Sequence, residues 1–313
     1  TAKQIKGEIN HLSFSEQRGF GLKNLQSNFM LDTDTTLIKN LQLQTAHSAL
    51  LIEASSQSFL NTTTNNLANT QFQLTILPSY LGEEDVSHLY DLSSSLKDTL
   101  AYRKVHFEGA WEGSLNHLTM HTFQASIPQV TRLHMKGEAN NLANNKSPQG
   151  SLKLDTLWVN GPKAKTLLND TLFPKQLQLP EHILLQLEAK GDLAQAKIST
   201  QLRSSFGQLN FSGNFKQDTV TDKQTYQMNW ELIKGNLANL LATGSPIDSI
   251  SLKGEAFAKS KGFSNFLGEA QINVDTLFYN GYNYSDIDLT ANLQEAFLSG
   301  EVSVSDPNLA LDL

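Results

Sequence analysis

The sequence has no cysteine, which excludes a disulfide framework and any thiolate metal site. That absence is compatible with every compartment and suits an oxidising one. No run approaches the ~18 apolar residues that cross a bilayer as a helix, and no charged-then-apolar signal segment opens the chain. Basic residues are in deficit: 24 Lys and Arg against 31 Asp and Glu give a net charge of −7. No strong basic patch stands out, so nucleic acid is not an expected partner. Hydrophobic residues make up 39% of the 313, below the roughly 45–50% of ordinary globular chains, a figure that includes Gly. That is thin for a closed core of this size, and enough for one layer with a single apolar face.

Catalytic signatures are missing as well. There is no H-E-x-x-H, no G-x-S-x-G and no P-loop. Gly19-Phe-Gly21 is followed by Asn24, where a dinucleotide fingerprint needs Gly, and reads as a strand turn. His117 and His121, with His106 and His134 nearby, are the best metal candidates. On a strand rising about 3.3 Å per residue, four-residue spacing keeps that pair well apart on one face. No carboxylate or further His completes a ligand set, so these read as polar-face histidines. Glu83-Glu84-Asp85 lacks the alternating oxygens and the Gly of a Ca²⁺ loop and reads as a helix start. No catalytic residue, metal or cofactor is expected, and the chain is not read as an enzyme.

What the chain does have is period 2, which puts apolar side chains on one face of a strand. Ile250, Leu252 and Ala256 alternate with Ser251, Lys253 and Glu255, with Gly254 on the apolar phase. Ala270, Ile272, Val274 and Phe278 belong to a second run, and Ile287, Leu289, Ala291 and Leu293 to a third. Leu41 and Leu43, then Leu177, Leu179, Ile183, Leu185 and Leu187, then Leu209, Phe211 and Phe215 continue the pattern. Each run is of strand length and ends at Gly, Asn, Asp or Pro. One apolar and one polar face is the antiparallel pattern.

Helical signals are few. Glu83–Leu100 carries Val86, Leu89, Tyr90, Leu92 and Leu96 at three- and four-residue spacing, the mark of an amphipathic helix. Lys163–Leu172 is a second candidate, and Asn236–Leu241 offers a turn or two. Asn61–Asn69 is rich in Asn and Thr and reads as a loop or hairpin tip. Short units recur, as in Lys6-Gly-Glu-Ile-Asn10, Lys136-Gly-Glu-Ala-Asn140 and Lys253-Gly-Glu-Ala-Phe257, and point to a stacked, quasi-one-dimensional sheet. No low-complexity linker divides the chain, so residues 1–313 read as one continuous module. A start at Thr1 and an end inside the alternating Asn308-Leu-Ala-Leu-Asp-Leu313 suggest a piece of a longer protein. Aromatic residues crowd the last third, among them Phe206, Phe211, Phe215, Trp230, Phe257, Phe278, Tyr282 and Phe297. They read either as cross-strand packing pairs or as the wall of an apolar groove.

Longer stretches resemble a known family. Phe278-Tyr-Asn-Gly-Tyr-Asn-Tyr-Ser-Asp-Ile-Asp-Leu289 and Leu298-Ser-Gly-Glu-Val-Ser-Val-Ser-Asp-Pro-Asn-Leu309 resemble the TamB/AsmA-like repeat region of Bacteroidetes-type bacteria. So do Ile9-Asn-His-Leu-Ser-Phe-Ser-Glu-Gln-Arg-Gly-Phe-Gly-Leu-Lys-Asn-Leu25 and Leu172-Phe-Pro-Lys-Gln-Leu-Gln-Leu-Pro-Glu-His-Ile183. The resemblance runs from about residue 5 to the end and brings no catalytic residue with it. It implies a mainly all-β fold: an elongated, twisted antiparallel sheet curled into a taco-like trough with an apolar interior and a few short helices at the turns. It implies a periplasmic protein held in the inner membrane by an anchor outside this segment. Its function would be to offer a hydrophobic groove to phospholipid passing between inner and outer membrane. The groove residues would be Leu185, Leu187, Ile198, Leu202, Leu209, Phe211, Ile250, Leu252, Ile272, Val274, Ile287, Leu289, Val302 and Val304. A rival reading is an envelope scaffold that aids outer-membrane protein biogenesis, accepting a strand from a TamA/BamA-type barrel at a sheet edge. A third is a carbohydrate-binding β-solenoid, for which the carboxylate pairs and regular coil length are not evident.

Overall fold

A computed structural model describes the chain except residues 1–3, 17–19, 58–66, 86–103, 144–147, 166–177, 219, 241–246, 262–263, 295–296 and 313. The described chain is almost wholly antiparallel β, as the alternation predicts. It divides into two compact units, Thr1–Val159 with Lys163–Leu172, and Asn160–Pro162 with Phe173–Leu313.

The first unit is a meander in which each strand pairs with the next in sequence. Its strands are β1 (Ile5–Ser15), β2 (Gly21–Leu31), β3 (Thr35–Thr45), β4 (Ala49–Gln57), β5 (Phe72–Gly82), β6 (Lys104–Gly113), β7 (His117–Ile127), β8 (Thr131–Asn140) and β9 (Gln149–Val159). Every one of these pairings contains a register slip. The slips sit where the apolar spacing stretches from two residues to three. Ile38 and Leu41 face Ala54 and Ile52, and Met120 and Phe123 face Gly137 and Met135. A bulge takes up the extra residue, keeps the apolar side chains on one face, and adds local twist. In β3 the bulge includes Asn40 at φ 52°, a conformation Asn tolerates better than most residues.

The second unit contains β10 (Ile183–Asp192), β11 (Gln195–Ser204), β12 (Gly207–Asp218), β13 (Lys223–Gly235), β14 (Ile247–Lys261), β15 (Ser264–Tyr279), β16 (Tyr282–Tyr284), β17 (Ile287–Gln294), β18 (Phe297–Asp306) and β19 (Leu309–Asp312). Short β16 pairs with one end of β15, and β17 pairs with the rest. Pairings from β10 to β13 and from β15 through β17 to β18 run without a slip. The β15–β16 hairpin turns through Asn280 (φ 49°) and Gly281 (φ 83°), the Asn-Gly pair that a two-residue primed turn requires. Other turns are closed by aspartate. Asp32 accepts from the N–H of Asp34 (2.8 Å) and of Thr35 (2.6 Å), and Asp192 accepts from those of Ala194 and Gln195 (both 2.7 Å). Short side-chain acceptors of this kind mimic a backbone turn.

Helix is sparse among the described residues. Residues 83–85 form a helical turn, α1 spans Gly161–Lys165 and α2 spans Leu237–Leu240. The rest of the Glu83–Leu100 and Lys163–Leu172 segments lies outside the described residues. Asn236 caps α2 by accepting from the N–H of Asn239 at 2.9 Å, the usual role of Asn at that position. Buried hydrophobic side chains are few among the described residues: Leu22, Val130, Ala164, Val274 and Val304. Neither unit closes around a dry core; the apolar face of each sheet is mostly half-buried.

Candidate functional site

The candidate site is that face, built from residues that stand directly opposite one another on successive strands. Side chains in such a row point the same way. In the second unit one row runs Leu185, Leu202, Leu209, Leu232, Leu252, Val274, Ile287, Val304 and Leu311. The next row, two residues along each strand, runs Leu187, Thr200, Phe211, Trp230, Gly254, Ile272, Leu289 and Val302. A third holds Ala189, Ile198, Gly213, Met228, Ala256, Ala270, Ala291 and Gly300. Ile250 shares the face, two residues before Leu252 on β14. All the groove residues expected from sequence therefore lie on one face of one unit.

The expected groove set leaves out two parts of the face, although Trp230 is among the aromatics offered as a groove wall. Trp230 and Leu232 belong to an unbroken alternation, Tyr226, Met228, Trp230, Leu232, which period 2 could have found. The first unit has an equivalent face, with a row of Gly7, Phe29, Ile38, Ala54, Leu74, Trp111, Met120, Gly137 and Leu152. Beside it runs Ile52, Ile76, Gly109, Phe123, Met135 and Leu154. Here the bulges shift the phase within strands, so a strict alternation loses the pattern halfway.

None of these row positions carries an ionisable side chain. The opposite face has the charges. In the second unit it presents Gln186, Gln201, Asn210, Glu231, Lys253, Asn273, Asp288 and Ser303 in one row. Asn210 donates to Glu231 at 2.8 Å, Asn273 donates to Asp288 at 2.8 Å, and Lys253 pairs with Asp275 at 3.4 Å. In the first unit Lys136 and Lys153 flank Asp155, each at 3.7 Å, and Arg132 lies over the Trp158 ring at 5.8 Å. Exposed pairs like these are worth at most about 1 kcal/mol each; their effect is to keep this side in water. A depression of about 510 Å³ on the polar side of β13–β15 is lined by Gln227, Asn229, Glu255, Phe257, Glu269 and Gln271.

The aromatic residues divide between the two readings. Phe211, Phe215 and Trp230 are on the apolar face, and Phe215 packs against Tyr226 across the strands at 5.4 Å between centroids. Phe257 takes the opposite phase, with Lys259 5.0 Å over its ring. The histidines go to separate partners: His117 to Asn140 (2.5 Å), His121 to Glu112 (2.9 Å), His134 to Thr122 (3.3 Å) and His106 to the Tyr80 ring (5.8 Å). No group of three metal-ligating side chains forms among the described residues. Two of the acidic trio are engaged with the β3–β4 turn. Buried Asp85 accepts from the hydroxyls of Thr45 and Ser48, and Glu84 meets His47 at 2.5 Å.

At the far end of the second unit, buried Asp306 accepts from the N–H of Asn308 (2.8 Å), the Tyr282 hydroxyl (2.9 Å) and the N–H of Ser285 (3.1 Å). The Asn308 N–H is the main cause that holds its carboxyl below the ordinary carboxylate range. Backbone N–H groups do the same for Asp32 and Asp218 at their turns. Asp32 and Asp218 fix turns; Asp306 follows Val302 and Val304 on the apolar phase of β18, one position beyond the aliphatic rows, and is taken up there by the β18–β19 turn. No protein-family model, curated protein or solved structure matches the chain.

Proposed function

We propose that the apolar faces carry acyl chains, and that the protein is a non-enzymatic, TamB/AsmA-like segment that offers phospholipid a hydrophobic path between inner and outer membrane. The observation that carries this reading is the charge-free ladder of half-exposed aliphatic and aromatic side chains, nine strands wide in each unit. Soluble chains rarely leave so much contiguous apolar surface without a ligand or partner. Immersing a sixteen-carbon chain fully in apolar surroundings is worth on the order of 12 kcal/mol at ~0.8 per methylene. A chain lying on one face keeps about half its surface wet, which leaves ~6 kcal/mol and a Kd in the tens of micromolar. Strands ~4.8 Å apart offer a new row position at each short step, so a chain could move without full exposure to water. The polar opposite face keeps the sheet in solution.

Native mass spectrometry of the purified protein tests the reading. Retained phospholipid, displaced by added fatty acid, is the expected result; protein free of lipid that also fails to bind a fluorescent fatty acid would refute it. A second reading, strand addition by an outer-membrane barrel partner, is favoured by one feature. Among the described residues β19 pairs with Ser303–Asp306 of β18, and Phe297 and Leu298 at the other end of β18 are 80% and 75% exposed. Such an edge is open to a further strand.

A further inference from the structure

Four aromatic side chains on the apolar faces lean over glycines. In the second unit the Trp230 indole crosses to β14 and lies on Gly254. A Cβ added at Gly254 would fall 2.5 Å from Cζ2 and 2.6 Å from Cε2 of that ring. Phe211 leans along β12 over Gly213, where a Cβ would come within 3.3 Å of the ring Cζ and of Ile198 Cγ2. In the first unit a Cβ at Gly7 would meet Phe29 Cε1 at 2.6 Å, and one at Gly109 would meet Trp111 Cζ3 at 2.8 Å. All four glycines lie on the apolar phase, opposite the aromatic residue or two positions from it on the same strand.

A glycine inside a strand weakens it and often marks a close approach. An aromatic ring laid over the gap restores part of the lost packing. The two together also set a height. A ring lying on a glycine rises about one ring thickness above the backbone, whereas the same ring beside a Cβ must stand up, several ångströms higher. We propose that these glycine–aromatic pairs are the floor-setting residues of the apolar face: the glycines hold the four rings flat so that an aliphatic chain can pass over them. The inference rests on the acyl-chain reading of the face and adds the residues that determine what fits on it. An extended, unbranched chain is the matching ligand, because it needs clearance of only its own width along the whole row.

The test uses the full chain with Trp111→Phe and Trp158→Phe, so that Trp230 is the one tryptophan left to excite selectively. The probe is cis-parinaric acid, a linear eighteen-carbon fatty acid. Gly254→Val is expected to raise acrylamide quenching of Trp230 and to weaken probe binding roughly tenfold, the equivalent of about three to four half-covered methylenes losing contact. Removing the raised ring in Gly254→Val/Trp230→Leu should restore binding to within about twofold. Should the valine variant lose its β circular dichroism, Gly254→Ala gives the same comparison with a smaller shift in the same direction. Unchanged binding with a raised ring overturns the proposal. So does a double variant that stays weak, because the loss would then come from strand damage. A parent protein that binds no probe overturns the acyl-chain reading instead, while the quenching comparison still reports whether Gly254 holds the ring down.

Discussion

A charge placed in the middle of the apolar face gives a quantitative test of what the face is for. Ile272 stands between Gly254 and Leu289 in the second row and is half-buried. Ile272→Asp removes about half of an isoleucine's ~3 kcal/mol burial and up to ~1 kcal/mol of strand preference. The stability cost is then about 2 kcal/mol, which a domain with 5–15 kcal/mol in hand survives. For a bound chain two outcomes compete at pH 7. The chain can lift off the hydrated carboxylate, losing about four methylene contacts at half of ~0.8 kcal/mol, or ~1.6 kcal/mol. Or the acid can be protonated, at ~1.36 kcal/mol for each of about three pH units, or ~4 kcal/mol. Lifting is cheaper, so affinity at this site should fall about fifteenfold. Covering the acid favours its neutral form, so binding should recover as pH falls towards 4 and be lost again as pH rises. Fatty-acid titrations at pH 7 and pH 4.5, with thermal melts alongside, measure both effects. Ser212→Asp, on the exposed polar face opposite Ser199 and Asn229, is the control and should bind within about twofold of the parent. Equal affinity for parent and Ile272→Asp at pH 7, with both folded, would refute the reasoning.

Two further predictions follow from charge placement. Because no ionisable group lies in the apolar rows, palmitate, its lysophospholipid and its glycerol ester should compete for the fluorescent probe within about threefold of one another; a headgroup preference of a hundredfold would point to a polar subsite instead. Asp306 titrates below its unfolded value, so its contribution to stability is fully present above about pH 3.9 and is lost as pH falls through the depressed folded value. Asp306→Asn should therefore lower the urea midpoint at pH 7 and converge on the parent below pH 3, and a difference that persists at low pH would contradict the hydrogen-bonded carboxylate.

Much of the fold was legible because side-chain alternation and backbone pleat share one period. Where the strands pair without slips, as in β10–β13 and β15–β18, counting by two put the expected residues of those strands on one shared face, from Leu185 to Val304. The first unit was harder for a physical reason. Bulges beside Ile38, Ile76 and Met120 change the phase inside a strand, and a bulge is a two-strand property that one strand's sequence does not display. The aromatics show the limit again. Phe257 and Trp230 look alike in composition, yet one residue of phase puts Phe257 among the charges and Trp230 on the apolar row. The flat seating of Trp230 on Gly254 depends on a residue 24 positions away. In sequence Gly254 reads as one more position on the apolar phase, with nothing to mark the ring that lies over it.

The three tryptophans provide the most direct test of the central claim. Trp111 and Trp230 lie on the apolar faces of the first and second units, while Trp158 lies on the polar face beside Arg132. A fatty acid brominated in mid-chain quenches indole only at contact. Trp158→Phe should keep the saturable quenching of the parent, and Trp111→Phe/Trp230→Phe should lose it. Saturable quenching of Trp158, or none of Trp111 and Trp230, would contradict a path for acyl chains over the apolar faces.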